Sequence, residues 1–243
     1  MHTTPLTPRE RLIVALDFPS ADLALRHVDK LEGQCLWVKV GLELYLAAGT
    51  SIITLLRERG LNVFLDLKLH DIPNTVAGAV RSAAKCGANL LTIHASGGSD
   101  MLRAAAEAAA TTLGAPRLLA VTVLTSLDAA QLNGIGVADE PSTQVLRLAR
   151  LATAAGLDGL VCSSAETRQL RIALPGDPLL VIPGIRPAGS AVGDQRRIAT
   201  PASAIADGAS MLVVGRPITQ AVDPAKAFES VLVEIASACQ LKV

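Results

Sequence analysis

Eight short aliphatic runs, each followed by a stretch of helical periodicity or turn residues, constrain this chain more than any other feature. The runs span 12–17, 37–41, 62–69, 90–95, 117–125, 159–162, 179–185 and 211–215. Helical patterns occupy the intervals, among them 21–32, 75–86, 101–112, 144–155 and 225–238. Thr200-Pro201 and Asp223-Pro224 each place a capping side chain before a proline suited to the first helical position. Gly60, Gly87, Gly156 and Gly208 fall where helices should stop. Eight strand–helix units in 243 residues match a single (β/α)8 TIM barrel, with all of 1–243 as one catalytic domain. The alternative is a doubly wound open sheet. A nucleotide-binding sheet of that kind carries a glycine-rich turn after its first strand, and here that position reads Asp17-Phe18-Pro19-Ser20.

The residue supply agrees with a barrel. Half the residues are hydrophobic but only 2% are aromatic, so the core must be aliphatic, as in parallel sheets buried on both faces. Lys plus Arg number 22 and Asp plus Glu number 22, and no basic tract favours nucleic acid. An anionic ligand would have to be held by a few placed cations. Cys35, Cys86, Cys162 and Cys239 are far apart, without a CxxC or Cys/His cluster, so reduced thiols are expected rather than a disulfide or metal framework. The opening MHTTPLTPRERL lacks the apolar segment of a signal peptide, and no run reaches membrane-spanning length. A cytoplasmic globular protein is expected.

Polar residues then stand out where strands should be apolar. In the third run Val63, Leu65, Leu67 and Leu69 form one face, fit to lie beneath helices. Asn62, Phe64, Asp66 and Lys68 form the other and point into the barrel. By the same parity Ile13, Ala15 and Asp17 face inward from the first strand, and Trp37, Lys39 and Gly41 from the second. Asp17, Lys39, Asp66 and Lys68 therefore converge near the C-terminal ends of three adjacent strands, the end where barrels do chemistry. A structural ion-pair network is the competing account. Four charges buried together cost several kcal/mol per ion before pairing offsets it, so stability alone is a weak reason for them.

The segment Asp66-Leu67-Lys68-Leu69-His70-Asp71-Ile72-Pro73-Asn74-Thr75 resembles the D-x-K-x-x-D signature of orotidine 5′-phosphate decarboxylases, with the I-P-N-T that follows it. The resemblance extends to Asp17, Lys39, Leu124-Thr125-Ser126, Pro183-Gly184-Ile185-Arg186-Pro187 with Asp194-Gln195, and Val214-Gly215-Arg216-Pro217-Ile218. It implies decarboxylation of orotidine 5′-monophosphate to uridine 5′-monophosphate without metal or organic cofactor. Lys68 would stabilise the C6 carbanion and protonate it, with Asp66 beside the departing carboxylate. Asp71 would keep Lys68 charged, and Lys39 would join the array. The resemblance assigns Asp17 and Lys39 to the ribose hydroxyls, and Ser126 beside Thr125 to the pyrimidine amide edge. It also implies a homodimer in which Asp71 and Thr75 complete the partner's site. Independently, loops after strands seven and eight commonly bind phosphate, and here they carry Arg186, Gln195, Gly215 and Arg216.

Several residues invite other uses. His70 and His94, near Asp66 and Asp71, admit a divalent-metal reading, but lone histidines are more often structural and no ligand count is evident. Ala95-Ser96-Gly97-Gly98 suits a tight turn better than an anion nest, Arg196 and Arg197 suit a solvated surface, and Cys162 suits core packing. The rival function is a metal-assisted sugar-phosphate decarboxylase or aldolase on the same barrel. A non-catalytic phosphate-binding barrel is a third, but it would not need Lys68 between two carboxylates.

Overall fold

Successive side chains of a strand point to opposite faces, so a closed parallel barrel must bury two separate apolar sets. The structure, a computed structural model, describes residues 6–187 and 199–240. Its strands are β1 (Leu12–Ala15), β2 (Trp37–Gly41), β3 (Asn62–Leu69), β4 (Leu90–His94), β5 (Arg117–Val121), β6 (Gly159–Val161), β7 (Leu179–Ile182) and β8 (Met211–Val214). They pair in parallel in chain order and close through β8 on β1. The barrel is the (β/α)8 arrangement expected from the alternation. Ile13, Ala15, Phe64, Leu90, Leu119, Val181, Met211 and Val213 fill its interior. Leu12, Val14, Val38, Val40, Val63 and Leu65 belong to the larger layer between strands and helices. Parity read from sequence thus sorts both layers correctly.

The covering helices are α1 (Ala21–Asp29), α2 (Leu42–Ala48), α3 (Ser51–Glu58), α4 (Pro73–Cys86), α5 (Gly98–Ala110) and α6 (Ala129–Gly134). They continue with α7 (Pro141–Ala154), α8 (Ser164–Ala173), α9 (Pro201–Ala206), α10 (Arg216–Thr219) and α11 (Pro224–Gln240). α4, α7 and α11 begin earlier than their hydrophobic periodicity suggests, because each opens on a proline whose missing N–H costs nothing in the first turn. Gly49, at a φ of 63°, separates α2 from α3 within one crossover.

Several strands are shorter than their aliphatic runs, and the surplus residues build the mouth. β5 stops at Val121 rather than Thr125, and the Thr122 amide and hydroxyl both donate to the Val161 carbonyl before the chain turns at Leu124–Leu127. β7 stops at Ile182, Gly184 takes a φ of 76°, and Ile185 returns only as a single bridge to Ala199. β1 ends two residues before Asp17, although the Leu16 amide still bonds the Lys39 carbonyl at 2.9 Å. The opposite end is closed by arginines. Arg11 donates to the Ala209 and Ser210 carbonyls, and Arg171 to the Pro178 and Gly208 carbonyls. No described helix is long and apolar enough to cross a membrane.

Candidate active site

The strand register fixes where the charges meet. Lys39 lies level with Ala15 on one side and Phe64 on the other, and Gly41 lies level with Asp66. From there Lys39 Nζ reaches Asp17 Oδ1 at 3.0 Å and Asp66 Oδ2 at 3.6 Å, while Lys68 Nζ donates to Asp66 Oδ1 at 2.9 Å. The four groups form one alternating row, Asp17–Lys39–Asp66–Lys68. Asp66 is 9% exposed and its neighbours open progressively toward solvent, with the Lys68 side chain 31% exposed. Burial works against the Asp66 carboxylate. Lys39, then Lys68, then hydrogen bonds from Lys68 and Thr92 more than offset this, and the pKa falls below the ordinary aspartate value.

A carboxyl depressed in this way stabilises the folded state above the pKa of the unfolded chain, and that contribution is lost as pH falls through the folded value. Asp66→Asn should therefore be less stable than the parent at pH 7, by roughly 3 kcal/mol, because it leaves two lysines under-compensated. The gap should begin to narrow below about pH 4, the ordinary aspartate value, and close as pH falls through the lower value of the folded state, where the parent loses its own charge. Urea midpoints at several pH values check this; a gap that does not change with pH would remove Asp66 from the role of charge anchor.

Lys68 is not an ordinary strand residue. Its φ is +51°, in the left-handed region that costs a non-glycine residue about 1–2 kcal/mol. Around it, β3 places three residues between Leu65 and Leu69 where β4 places one between Leu91 and Ile93, a bulge that kinks the strand. The Lys68 amide, turned away from the regular ladder, donates instead to Thr92 Oγ1 at 2.8 Å. Glu32 and Asp177 share a positive φ, but Lys68 alone of these three belongs to the charged row, and strain of this kind clusters at active sites. His94, at the end of β4, lies 5.5 Å from the His70 ring, and burial, then His70 and Lys68, hold its pKa low. Among the described residues no group of three or more His, Cys, Asp or Glu could hold a metal ion.

The remaining expected site residues spread around the same rim. Asp71 and Thr75 are exposed beyond β3, and Asp71 Oδ1 accepts the Ile72 amide at 2.7 Å. Among the described residues of one chain no ion pair joins Asp71 to Lys68. Thr125 and Ser126 occupy the turn after β5, with Ser126 exposed. Thr125 lines a cavity with Asp128, Glu140, Pro141 and Glu166, to which none of the four charged residues contributes. Arg186 is 8% exposed and donates to the Ile185 carbonyl at 3.0 Å. Burial, then the positive charge of Arg216, lowers its pKa, so two cations share the rim between β7 and β8. Gly215 connects that rim to the charged row, since a Cβ there would sit 3.7 Å from Asp17 Oδ2. Gln195, with Asp194, Arg196 and Arg197, lies outside the described residues. Cys162 is buried, and no disulfide joins any of the four cysteines.

The model of the orotidine 5′-phosphate decarboxylase / HUMPS family matches residues 10–231. The chain belongs to this family. It is 54% identical over 228 residues to an orotidine 5′-phosphate decarboxylase of Halorhodospira halophila, covering 94% of this chain and 97% of that one. It is 51% identical over 226 residues to the enzyme of that name from Anaeromyxobacter sp., covering 93% and 98%. Among solved structures, the orotidine 5′-phosphate decarboxylase from Lactobacillus acidophilus superposes with a TM-score of 0.81 at 41% identity, covering 92% of this chain and 98% of that one.

Two residues of this orotidine 5′-phosphate decarboxylase family member escaped the sequence reading, Thr92 and Gly41. A Cβ at Gly41 would lie 2.9 Å from Lys39 Nζ and 3.5 Å from Asp17 Oδ1. Glycine is needed there for the space that the ammonium occupies. Gly41→Ala should fold normally, because the displaced atom is the tip of a flexible side chain. It should lose about 10- to 100-fold in kcat/KM as Lys39 leaves its place between two carboxylates. Unchanged kcat/KM in the folded variant would mean that the position of Lys39 does not matter.

Proposed function

We propose that this chain converts orotidine 5′-monophosphate to uridine 5′-monophosphate and CO2, the last step of uridine monophosphate biosynthesis. The observation that carries the proposal is the alternating row Asp17–Lys39–Asp66–Lys68, with the Lys68 ammonium held at its open end. Breaking the C6–carboxylate bond leaves an electron pair on C6 in an orbital that cannot delocalise into the ring carbonyls. A fixed cation at that point stabilises the developing charge, and in a largely buried site it does so more strongly than water would. Lys68 then gives a proton to C6 and is left as the neutral amine, which solvent recharges. Lys39 and Asp66 hold Lys68 in place and set the field, and Asp66 lies beside the leaving carboxylate. The chemistry asks for no metal or organic cofactor.

Asp17 and Lys39 bind the ribose hydroxyls, and Thr125 and Ser126 present hydrogen-bonding groups to the pyrimidine amide edge. Arg186, Gln195, Gly215 and Arg216 hold the phosphate, and two like charges on one rim suit a dianion. Binding energy from that remote group then helps lower the barrier at C6. The working form is a homodimer. Asp71 and Thr75, exposed on a single chain, reach the partner's site, where Asp71 meets Lys68. Residues 1–243 act as one cytoplasmic catalytic domain, in keeping with four cysteines that no disulfide joins.

The rival within the same fold is a metal-assisted sugar-phosphate decarboxylase or aldolase. Proton NMR separates the two. With orotidine 5′-monophosphate the C5 proton singlet should give way to the C5 and C6 doublets of uridine 5′-monophosphate. No new C6 signal, together with magnesium-dependent turnover of a sugar phosphate, would transfer the assignment to the rival.

A further inference from the structure

Thr92 stands in the middle of β4 with no exposed surface, on the strand that pairs with the bulge at Lys68. Its hydroxyl accepts the Lys68 amide at 2.8 Å and donates to Asp66 Oδ1 at 3.0 Å. The same Asp66 oxygen receives Lys68 Nζ at 2.9 Å. The three residues therefore close a ring: Lys68 amide to Thr92 hydroxyl, hydroxyl to Asp66 carboxylate, and Lys68 ammonium back to that carboxylate. A hydroxyl carries one proton. With the Lys68 N–H occupying one of its lone pairs, that proton is directed at Asp66.

A hydrophobic residue of this shape would pack equally well, so packing does not explain the hydroxyl. The ring does. We propose that Thr92 is a positioning residue for the decarboxylation, whose hydroxyl locks the Lys68 backbone in its left-handed turn and fixes the Asp66 carboxylate that aims the Lys68 ammonium. The proposal rests on Lys68 being the proton donor. It adds a group that touches neither substrate nor proton and acts through two that do. Without the hydroxyl, the Lys68 amide loses the Thr92 acceptor and Asp66 keeps its lysine partners without the hydroxyl donor, so the ammonium gains freedom in the mouth. Such freedom lowers kcat and leaves ribose and phosphate contacts, hence KM, nearly as they were.

Thr92→Val keeps the shape and removes the hydroxyl, whereas Thr92→Ser keeps the hydroxyl and removes the methyl. The valine variant should lose about 30-fold in kcat with KM within about 3-fold of the parent, as for a buried hydrogen bond left unmade. The serine variant should stay within about 3-fold in both. Should valine prevent folding, Thr92→Ala against Thr92→Ser makes the same comparison. A folded valine or alanine variant with parental kcat overturns the proposal, and so does a serine variant as impaired as valine. Lys68→Ala is measured beside them. If it still turns over, the reading of the whole site fails; if it is inactive while valine is normal, only the role of Thr92 fails.

Discussion

Replacing Lys68 by alanine should abolish turnover of orotidine 5′-monophosphate while leaving a folded barrel that binds uridine 5′-monophosphate. Two contributions vanish together. A positioned general acid is worth about 10²- to 10⁴-fold, and a placed charge at a developing anion about 10²- to 10³-fold. The expected loss in kcat is therefore about 10⁵-fold. The fold should survive, because Asp66 keeps Lys39 at 3.6 Å and Thr92 at 3.0 Å. In the proposed reading product affinity depends on Asp17, Arg186, Arg216 and the Ser126 turn, none of which is bonded to Lys68 among the described residues. Single-turnover kinetics and equilibrium dialysis with uridine 5′-monophosphate check both halves. A kcat within about tenfold of the parent would remove Lys68 from the chemistry.

Mixing two inactive variants should restore activity. In the proposed homodimer each site takes Lys68 from one chain and Asp71 from the other. A mixed dimer of Lys68→Ala and Asp71→Ala then has one site lacking both groups and one site lacking neither. Random re-association makes half the dimers mixed, so about one quarter of all sites become intact, against almost none in either variant alone. The placement of Asp71 motivates the experiment. It is exposed, its carboxylate accepts the neighbouring Ile72 amide, and among the described residues of one chain it forms no ion pair with Lys68. Activity is to be measured after mild denaturation and refolding of an equimolar mixture. No recovery would place Asp71 and Lys68 in the same chain's site, or Asp71 in none.

Most of the architecture was legible because period-two alternation survives in β1, β2 and β3, and because buried parallel strands leave aliphatic runs that nothing else in the chain resembles. Strand ends were not. Thr122–Thr125 reads as a continued strand because threonine and valine suit strands, but Thr122 spends its amide and hydroxyl on the last carbonyl of β6 and the chain then turns. The charged row was legible through parity alone, since Asp17, Lys39, Asp66 and Lys68 all fall on the inward phase. The conformation of Lys68 was not, because counting residues cannot detect a bulge that adds two to one strand and returns Leu69 to its expected layer. Thr92 was invisible for a related reason. A threonine in an aliphatic run is an ordinary strand former until the Lys68 amide across the sheet is seen to donate to its hydroxyl. Gly41 reads as a strand end, and only the position of Lys39 Nζ gives it a purpose.

The central claim is that side chains of this protein alone carry out the decarboxylation. Its most direct test is the rate at which the absorbance of orotidine 5′-monophosphate falls when purified protein, dialysed against EDTA, is added in metal-free buffer. The account predicts full kcat, the same as before dialysis, with one uridine 5′-monophosphate formed per substrate lost. Activity that disappears on dialysis and returns with magnesium would contradict it.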